Sequence, residues 1–290
     1  MSDVLDVAPE VAAALAAGRA VVALETSIVG QGLPPPHNLQ AARGCEAVIR
    51  EEGAVPATIA VLDGRLRIGL TDAELERVAA RSQKVSARDL GPALAARDVG
   101  ATTVAATMRI AALAGIRFFA TGGIGGVHRG DPVDVSADLA ELARTPVAVF
   151  CAGAKIILDL RLTLERLETL GVPVLGYGCD DFPAFYAAHS GCPVSARVDG
   201  PEQAFQLLKA AWATGSNGVL VAVPPPRELE GAEDLVRQAV AELSGVSGGE
   251  VTPRLLARVA ELSGGRSVEV NVELVVNNAR VAAQVARAAG

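Results

Sequence analysis

Three lysines stand out among the residues that could do chemistry, because the rest of the 26 basic residues are arginines. A GC-rich coding bias explains the excess, since arginine replaces lysine wherever only a positive charge is needed. Arginine does not lose its proton and cannot form an imine, so a retained lysine has better odds of acting as an amine. The three are Lys84, Lys155 and Lys209. Among these lysines, a nucleophile is expected where the surroundings of the side chain are partly apolar.

Lys155 has such surroundings. It follows Gly153 and Ala154, and residues 156–158 after it are all apolar. Loss of hydration in this setting favours the neutral, nucleophilic amine. A lysine at a strand end is more often a charge partner for phosphate or carboxylate, and Lys84 fits that role better. Lys209 lies in a helical pattern and is expected on the surface.

Carboxylates occur in two candidate segments, of which the first follows an apolar run. Glu25 heads a Glu-Thr-Ser sequence and is a candidate acid or base. A solvated carboxylate beside two turn-forming hydroxyls is the simpler interpretation. Residues 131–138 contain three aspartates and a serine. This spacing suits a hard divalent cation such as Mg²⁺ or Mn²⁺, and helix capping by Asp134 or Ser136 explains part of the same pattern.

A glycine-rich segment follows another apolar run. Residues 121–130 hold four glycines within five positions, with Thr121, His128 and Arg129 at the edges. Backbone N–H groups in such a loop can converge on a small phosphate monoester. The segment matches neither a Walker motif nor the dinucleotide fingerprint. The alternative is a turn whose glycines allow close packing.

Short apolar runs bounded by glycine and proline predict strands that are buried on both faces. The runs lie at residues 21–24, 58–62, 117–120, 147–151, 172–176 and 218–223. Helical patterns alternate with them, which predicts an α/β fold around a mostly parallel sheet. Residues 62–65 predict a hairpin, and residues 231–290 predict a helical C-terminal segment interrupted only at 245–249.

Helix boundaries can be predicted at three places. Asn38 is expected to cap a helix that ends near Gly53, and Thr71 with Glu74 has the spacing of a capping box. Leucines at helical spacing predict a helix over residues 160–170.

The composition excludes several classes of protein. A net charge of -7 and an aromatic content of 3% argue against a nucleic-acid surface. No apolar run reaches the roughly 18 residues that span a bilayer, and the acidic start is unlike a secretory signal. The four cysteines form no CxxC pair, which favours the reducing cytoplasm. A chain of 290 residues without a linker predicts a single domain over 1–290.

The residues together suggest an enzyme that acts on a phosphorylated sugar through an imine on Lys155, with Glu25 as acid or base. A class I aldolase-like enzyme would share this inventory. The order of the motifs is more specific: ALETS, AVPATIAVLDGR, QKVSARDL, GATTVAATM, FATGGIGGVHRG, DVSADL, AGAK, VTPRLLARVAELSGGRS and NNARVAA. Over residues 11–286 this order resembles the pseudouridine-5′-phosphate glycosidase family, which includes homologues from pigment and polyketide biosynthesis.

The resemblance implies a three-layer α/β/α fold, a homotrimer, a divalent metal that is typically Mn²⁺, and reversible cleavage of a C–C glycosidic bond to ribose 5-phosphate and uracil. It implies that Lys155 forms the imine with C1 of the opened ribose, that Glu25 assists ring opening and proton transfer, and that Asp134 binds the metal. The implied sugar-phosphate residues are Lys84, Thr121, His128, Ser136, Ala137 and Asp138. The implied residues of the base-side pocket are Thr103, Val104 and Asn271.

Three departures from the family pattern concern other motifs. Gln31 stands where the family has a histidine, Cys179 lies in the GYG-x-D block, and Val223 stands where an asparagine is common. The first hypothesis is a pseudouridine-5′-phosphate glycosidase of nucleotide salvage. The alternative is a biosynthetic C-glycosynthase that joins ribose 5-phosphate to an aromatic, polyketide-type aglycone. A non-catalytic sugar-phosphate-binding protein is the third hypothesis.

Overall fold

The computed structural model describes residues 4–242 and 251–290. The strands are β1 (Leu5–Val7), β2 (Val21–Leu24), β3 (Val55–Leu62), β4 (Arg65–Ile68), β5 (Gln83–Val85), β6 (Gly100–Thr102), β7 (Phe118–Ala120), β8 (Val127–His128), β9 (Asp131–Val135), β10 (Ala148–Cys151), β11 (Leu158–Asp159), β12 (Val174–Tyr177), β13 (Ala196–Val198) and β14 (Val219–Ala222). The helices are α1 (Pro9–Ala16), α2 (His37–Glu51), α3 (Asp72–Ala80), α4 (Leu90–Ala96), α5 (Val104–Leu113), α6 (Ala137–Leu142), α7 (Leu160–Thr169), α8 (Pro201–Ala213), α9 (Ala232–Glu242), α10 (Val251–Leu262) and α11 (Arg266–Arg287).

Apolar strands form the central sheet, whose order is β1-β4-β3-β2-β7-β10-β14-β12-β13. From β3 to β13 along this order the strands run parallel. Every residue of β2, β3, β10 and β14 is buried, which explains why these strands are continuous apolar runs rather than alternating ones. Each of the six predicted strands forms, with ends shifted by a few residues. The three-layer α/β/α architecture around a mostly parallel sheet is confirmed.

Local turn and capping signals are also confirmed. β3 pairs antiparallel with β4, and Asp63 and Gly64 between them have φ of 52° and 81°. Left-handed conformations at both central positions are those of a type I′ hairpin turn. At the start of α3, the Thr71 side chain accepts the N–H of Glu74, whose carboxylate accepts the N–H of Thr71 at 2.7 Å. α7 occupies the helix predicted from the leucine spacing.

Asn38 does not cap α2, contrary to the prediction from sequence. The helix begins at His37, and Pro36 precedes it without a capping side chain. The Asn38 amide is used elsewhere: its Nδ2 donates to the carbonyl of Val29 at 2.9 Å. Asn38 therefore fastens the first turn of α2 to the short π-helical turn Ile28–Gly32 that follows the Glu-Thr-Ser sequence.

The C-terminal segment is mostly helical as predicted, and the predicted interruption at 245–249 lies outside the described residues. The prediction lacked a second break at residues 263–265, where Gly264 and Gly265 have φ of 61° and 86° and separate α10 from α11. α11 is a helix of 22 residues that packs against α2, β2, β7 and β10. Asn271 and Asn278 belong to its buried face. Lys209 is exposed on α8, as expected from its position. None of the described helices combines the length and the apolar character needed to cross a membrane.

Candidate functional site

The carboxyl ends of three adjacent parallel strands bring the candidate catalytic residues together. β2, β7 and β10 are neighbours in the sheet, and they lead into Glu25, Thr121 and the loop that carries Lys155. Open parallel sheets bind their ligands at this edge. The Thr121 hydroxyl donates a short hydrogen bond to Glu25, and the charge of Lys155 acts on the same carboxylate. The predicted acid and the predicted nucleophile therefore belong to one site.

Glu25 is a buried carboxylate with a hydroxyl on each oxygen. Oε1 accepts from Thr121 and Oε2 accepts from Ser27. Burial raises the pKa of Glu25, against the opposing effects of Lys155 and the two hydroxyls, and the nearby Asp138 adds to the rise. A glutamic acid with a raised pKa can hold a proton near neutral pH and donate it. The simpler interpretation, a solvated carboxylate, is therefore wrong for this residue.

Lys155 lies half-buried in a loop that two contacts hold in place. Its backbone N–H donates to the carbonyl of Ile124 in the glycine-rich loop at 3.1 Å. The Arg129 guanidinium donates to the carbonyls of Ile156 at 3.1 Å and Leu158 at 3.0 Å. Arg129 was a candidate anion ligand from the sequence. In the structure it fixes the segment directly after Lys155, and its contact with an anion stays a prediction.

Asp138 uses its carboxylate to join two backbone segments. Oδ1 accepts the N–H of Ala105 at the start of α5 at 2.9 Å, and Oδ2 accepts the N–H of Gly125 at 2.8 Å. A Cβ at Gly125 would lie 2.3 Å from Ser136 Oγ, so the loop can approach α6 this closely only with glycine there. Asp138 thus shapes the loop, and its contact with a sugar phosphate stays a prediction.

Two helix starts and one strand flank the glycine-rich loop. Thr103 caps α5 through its side chain, and Val104 is the first residue of that helix. Ser136 caps α6, which begins with Ala137. Lys84 is exposed on β5, and the Thr103 N–H donates to the last carbonyl of that strand at 3.0 Å. These predicted ligand residues therefore lie on connected elements around one loop.

His128 and Asp134 lie on a small second sheet of order β11-β8-β9. His128 is half-buried on β8, and Asp134 is exposed on β9. Among the residues that the structure describes, no group of three or more His, Cys, Asp and Glu side chains could hold a metal ion. Asp134 can offer one carboxylate group. Carboxylate oxygen is a donor that Mg²⁺ and Mn²⁺ accept, with water at most other positions.

Asn271 lies buried on α11 next to Tyr186. Burial raises the pKa of the Tyr186 hydroxyl, and its hydrogen bonds with Ser267 and Asn271 oppose the rise. Within the described part of the chain, Oδ1 of Asn271 is buried and has no hydrogen-bond partner. A buried amide oxygen in this state can accept an N–H from a ligand. The predicted place of Asn271 in the base-side pocket is compatible with this geometry and stays a prediction.

Sequence reasoning missed Asn278, which supports the site from behind. It is 0% exposed, and its Nδ2 donates to the carbonyls of Thr121 at 2.8 Å and Gly122 at 3.3 Å. It therefore fixes the backbone of the residue whose hydroxyl holds Glu25. A signal was available: Asn271 and Asn278 are seven positions apart and share a helix face that is otherwise largely apolar.

The chain matches the family model described as "Indigoidine synthase A like protein" over residues 10–288. The chain belongs to the indigoidine synthase A like family. A pseudouridine-5′-phosphate glycosidase of Deinococcus radiodurans is 55% identical to this family member, over 97% of this chain and 94% of its own. A protein of the same name from Herpetosiphon aurantiacus is 53% identical over 97% of each chain.

Two solved structures resemble this indigoidine synthase A like protein over nearly its whole length. The prealnumycin C-glycosynthase AlnA, in complex with ribulose 5-phosphate, has a TM-score of 0.90 and 41% identity, covering 99% of this chain and 97% of its own. An indigoidine synthase A-like protein of Thermotoga maritima has a TM-score of 0.90 and 31% identity, covering 98% and 95%. The family resemblance noted in the sequence is confirmed.

The three departures from the family pattern lie at different places. Gln31 donates from Nε2 to the carbonyl of Ser82 at 3.0 Å, two residues before Lys84, so it supports the β5 strand. Cys179 and Val223 are both buried beyond the ends of β12 and β14, at 7% and 2% exposure. Burial raises the pKa of the Cys179 thiol to about 11, so it is expected to be unreactive.

Asn278→Asp is expected to destabilise this family member by about 3 kcal/mol or more, because a carboxylate would be buried against two carbonyl oxygens. The matched control is Asn277→Asp, since Asn277 is the half-buried neighbour on the same helix. Thermal unfolding followed by circular dichroism measures both changes. Equal melting temperatures for the two variants would show that Asn278 does not hold the loop.

Gly153→Ala is expected to disrupt the loop of Lys155. Gly153 has φ of 78°, and a Cβ there would lie 1.9 Å from the carbonyl oxygen of Pro183. The matched control is Gly178→Ala, because Gly178 has φ of 68° and open space around it. The control should cost about 1–2 kcal/mol for backbone conformation alone. Chemical denaturation should show a clearly larger loss for Gly153→Ala, and equal losses would contradict the close approach.

Proposed function

We propose that this chain hydrolyses the C–C glycosidic bond of pseudouridine 5′-phosphate, giving uracil and ribose 5-phosphate. The observation that carries the proposal is the placement of Glu25 after β2 and of Lys155 in the loop after β10, at the same edge of the sheet on either side of β7, where the two side chains interact electrostatically. The names of relatives at 55% and 53% identity support it. The complex of AlnA with a phosphorylated sugar supports a sugar-phosphate pocket in this fold.

A C-glycoside requires a covalent route of this kind. It has no glycosidic leaving-group oxygen, so the usual pair of carboxylates cannot cleave it. An amine that forms an imine at C1 provides an electron sink, and the bond to the base can then break in a retro-Mannich-type step. Lys155 supplies the amine, and Glu25 supplies a proton because burial raises its pKa.

The proposed steps balance. Lys155 first gives up its ammonium proton to water. Glu25 protonates the ring oxygen of the ribose, and the amine of Lys155 replaces that oxygen at C1; the nitrogen then releases its surplus proton to water in the pocket. A reprotonated Glu25 adds a proton to the base carbon that is bonded to C1. The nitrogen lone pair forms the C=N bond as the C–C bond breaks. The electron pair of the broken C–C bond restores the double bond of the base. Water hydrolyses the protonated imine to ribose 5-phosphate and the free lysine.

The glycine-rich loop and the elements around it are proposed to bind the sugar phosphate. The backbone N–H groups of the loop and of the starts of α5 and α6 offer donors for an anion, apart from those of Gly125 and Ala105, which Asp138 already accepts. Lys84 supplies a positive charge from the exposed strand β5, and His128 is at the edge of the same loop. This arrangement fixes the sugar so that C1 is presented to Lys155 and the ring oxygen to Glu25.

Asp134 is proposed to hold a divalent cation, Mn²⁺ in the first instance, through its exposed carboxylate. When bound, the cation would neutralise charge on the phosphorylated sugar and its hydroxyls. A site with one protein carboxylate keeps most of the cation's water, which matches the lack of a ligand cluster among the described residues. The affinity is therefore expected to be modest.

The loss of activity on removal of the cation should be reversible. Treatment with a chelator is expected to abolish uracil release, and added Mn²⁺ should restore it. Asp134→Asn should raise the Mn²⁺ concentration needed for half-maximal activity by about tenfold, since one charged ligand is lost. Asp131→Asn is the matched control on the same exposed strand. Full activity of the chelated protein would contradict the metal requirement.

The function is tested by incubating the protein with pseudouridine 5′-phosphate and Mn²⁺ and measuring uracil by chromatography. Release of uracil together with ribose 5-phosphate is the expected result. If no uracil appears, the salvage hydrolase is excluded. Unphosphorylated pseudouridine serves as the control substrate and should react far more slowly, because it cannot use the phosphate-binding loop.

A second candidate function is synthesis of a C-glycoside from ribose 5-phosphate and an aromatic aglycone of the polyketide type. The 41% identity with the C-glycosynthase AlnA and the departures at Gln31, Cys179 and Val223 favour it. Uracil release at a negligible rate, with imine formation on Lys155 intact, would support this candidate. A pure sugar-phosphate-binding protein would instead give no borohydride-trapped adduct with ribose 5-phosphate.

We also propose a homotrimer that works in the cytoplasm. The trimer follows from the family resemblance, and a solution mass three times the chain mass of 29.6 kDa would support it. The cytoplasmic location is supported by free thiols at all four cysteines, Cys45, Cys151, Cys179 and Cys192.

A further inference from the structure

A second carboxylate, Glu46, is hydrogen-bonded to Thr58, a residue that lines a small cavity together with Glu25, and the reaction proposed above does not use Glu46. Glu46 is on α2, and it accepts a short hydrogen bond from the hydroxyl of Thr58 on β3. Thr58 is 1% exposed and lies opposite Leu24, the residue before Glu25, in the pairing of β3 with β2. Thr58 therefore contacts Glu46 and lies on the strand that pairs with the one leading into Glu25.

The cavity joins Thr58 to Glu25. Its volume is about 10 Å³, and its lining includes the polar groups of Glu25, Thr58 and Thr121 among apolar side chains such as Cys45 and Val275. A space of roughly this size holds one water molecule when two or more polar groups can bind it. The cavity is far too small for a nucleobase or a sugar. Its chemistry fits a single water that hydrogen-bonds to Thr58 and Glu25.

We propose that Thr58 and Glu46 form a proton relay that reloads Glu25 from the side of the sheet covered by α2. The proposal rests on the proposed function, in which Glu25 donates a proton to the ring oxygen and then to the base carbon. A carboxyl group holds one proton, so it must be reprotonated between the two donations. Bound substrate covers the opening toward Lys155 at that moment, and the cavity offers a separate route.

The transfer is balanced. A protonated Glu46 gives its proton to the Thr58 oxygen as the Thr58 hydroxyl proton passes to the water, and the water passes one of its protons to the Glu25 carboxylate. After the transfer, Thr58 is again a hydroxyl and the water is again neutral. Glu46 is half-buried, so it can recover a proton from solvent, while the nitrogen of the Lys155 adduct releases its surplus proton to the pocket.

The charges around the two carboxylates are compatible with this transfer. Burial raises the pKa of Glu46, and Asp72 on α3 and Glu10 on α1 raise it further, whereas Thr58 and Arg50 lower it. Burial also raises the pKa of Glu25, with Asp138 adding to the rise and Lys155, Ser27 and Thr121 opposing it. The pKa values of the donor and of the acceptor are therefore shifted in the same direction.

Neither Glu46 nor Thr58 touches the substrate, so they act through Glu25 and are not catalytic residues. Thr58→Val keeps the shape of the side chain and removes the hydroxyl. It is expected to lower kcat by about tenfold with KM unchanged, and to increase the solvent deuterium isotope effect because proton transfer becomes limiting. Thr58→Ser should restore both values. Glu46→Gln should behave like Thr58→Val, and Glu51→Gln, an exposed change on the same helix, is the matched control.

Two outcomes would overturn the relay. Wild-type kcat and isotope effect in Thr58→Val would show that Glu25 is reloaded elsewhere, and equal loss in Thr58→Val and Thr58→Ser would indicate packing alone. A high-resolution crystal structure of the unliganded protein supplies a test that needs no activity. Water in the cavity within hydrogen-bond distance of Thr58 and Glu25 supports the relay, and a dry cavity excludes it. If the cavity holds this water but the protein releases no uracil, the proposed substrate is wrong and the relay is not contradicted.

Discussion

Lys155→Arg is expected to lower the rate of uracil release by roughly 10⁴-fold or more, the usual scale for loss of a covalent nucleophile. Arginine keeps the positive charge and most of the length of the side chain, so phosphate attraction and packing should survive. It cannot become a neutral amine at working pH and cannot form an imine. The substitution therefore separates the chemistry of the amine from the electrostatics of the charge.

The chain contains a matched control for this change. Lys209→Arg makes the same substitution on the exposed face of α8 and should leave the rate unchanged. Lys84→Arg should give an intermediate result, mainly a higher KM, because a guanidinium can still pair with phosphate but has a different shape.

Borohydride trapping of the imine on Lys155 gives a second test of this prediction, and it does not depend on turnover. Borohydride reduction with ribose 5-phosphate should add the mass of the reduced sugar to wild-type protein, on the peptide that contains Lys155, and should add nothing to Lys155→Arg. An arginine variant that turns over at the wild-type rate, or that is labelled like the wild type, would refute the imine.

Glu25→Gln is expected to reduce kcat by about 10²- to 10⁴-fold, the range for loss of a general acid or base. The amide keeps the shape of the side chain and can still meet the hydroxyls of Ser27 and Thr121. The wild-type rate should fall as the pH rises through the raised pKa of Glu25, because the acid form is consumed. The residual activity of Glu25→Gln should not show this fall at high pH.

The same substitution should stabilise the fold at neutral pH. Because the pKa of Glu25 is raised in the folded state, its contribution to stability is fully present below the unfolded pKa of about 4.3 and is lost as the pH rises through the folded value. A glutamine never ionises and avoids that loss. The melting temperature of Glu25→Gln should therefore exceed that of the wild type at pH 7, and the difference should vanish below about pH 4.

The exposed Glu51→Gln change is the control for the stability measurement, and it should show no pH-dependent gain. Melting curves from pH 4 to pH 8 and kcat profiles over the same range test both parts. A lower melting temperature for Glu25→Gln at pH 7 would indicate that the ionised carboxylate, paired with Lys155, is the stable resting form. In that case Glu25 would act first as a base.

Most of the fold was predictable because its signals are local. Continuous apolar runs, a capping box and an Asp-Gly turn each depend on neighbours within a few residues. The wrong assignment, Asn38 as a helix cap, has a different cause. Its amide is taken by Val29, nine positions earlier, and no local pattern records that contact.

The site was partly predictable for a related reason. Glu25, Thr121 and Lys155 each follow an apolar strand, and parallel strands bring their carboxyl ends to one edge. Contacts between side chains and residues far away in the sequence were missed. Asn278 reaches back 157 positions to Thr121, and Arg129 binds backbone carbonyls 27 and 29 positions ahead.

The bond between Asn278 and Thr121 also has a consequence for protein synthesis. The residue that fixes the backbone at Thr121 is on α11, the last helix of the described chain, whereas Glu25 directly follows β2, the first strand of the parallel core. A growing chain that has made the Glu25 and Lys155 segments still lacks this support until α11 emerges from the ribosome. A chain stalled before α11 should therefore be inactive, and the onset of activity should follow the emergence of α11.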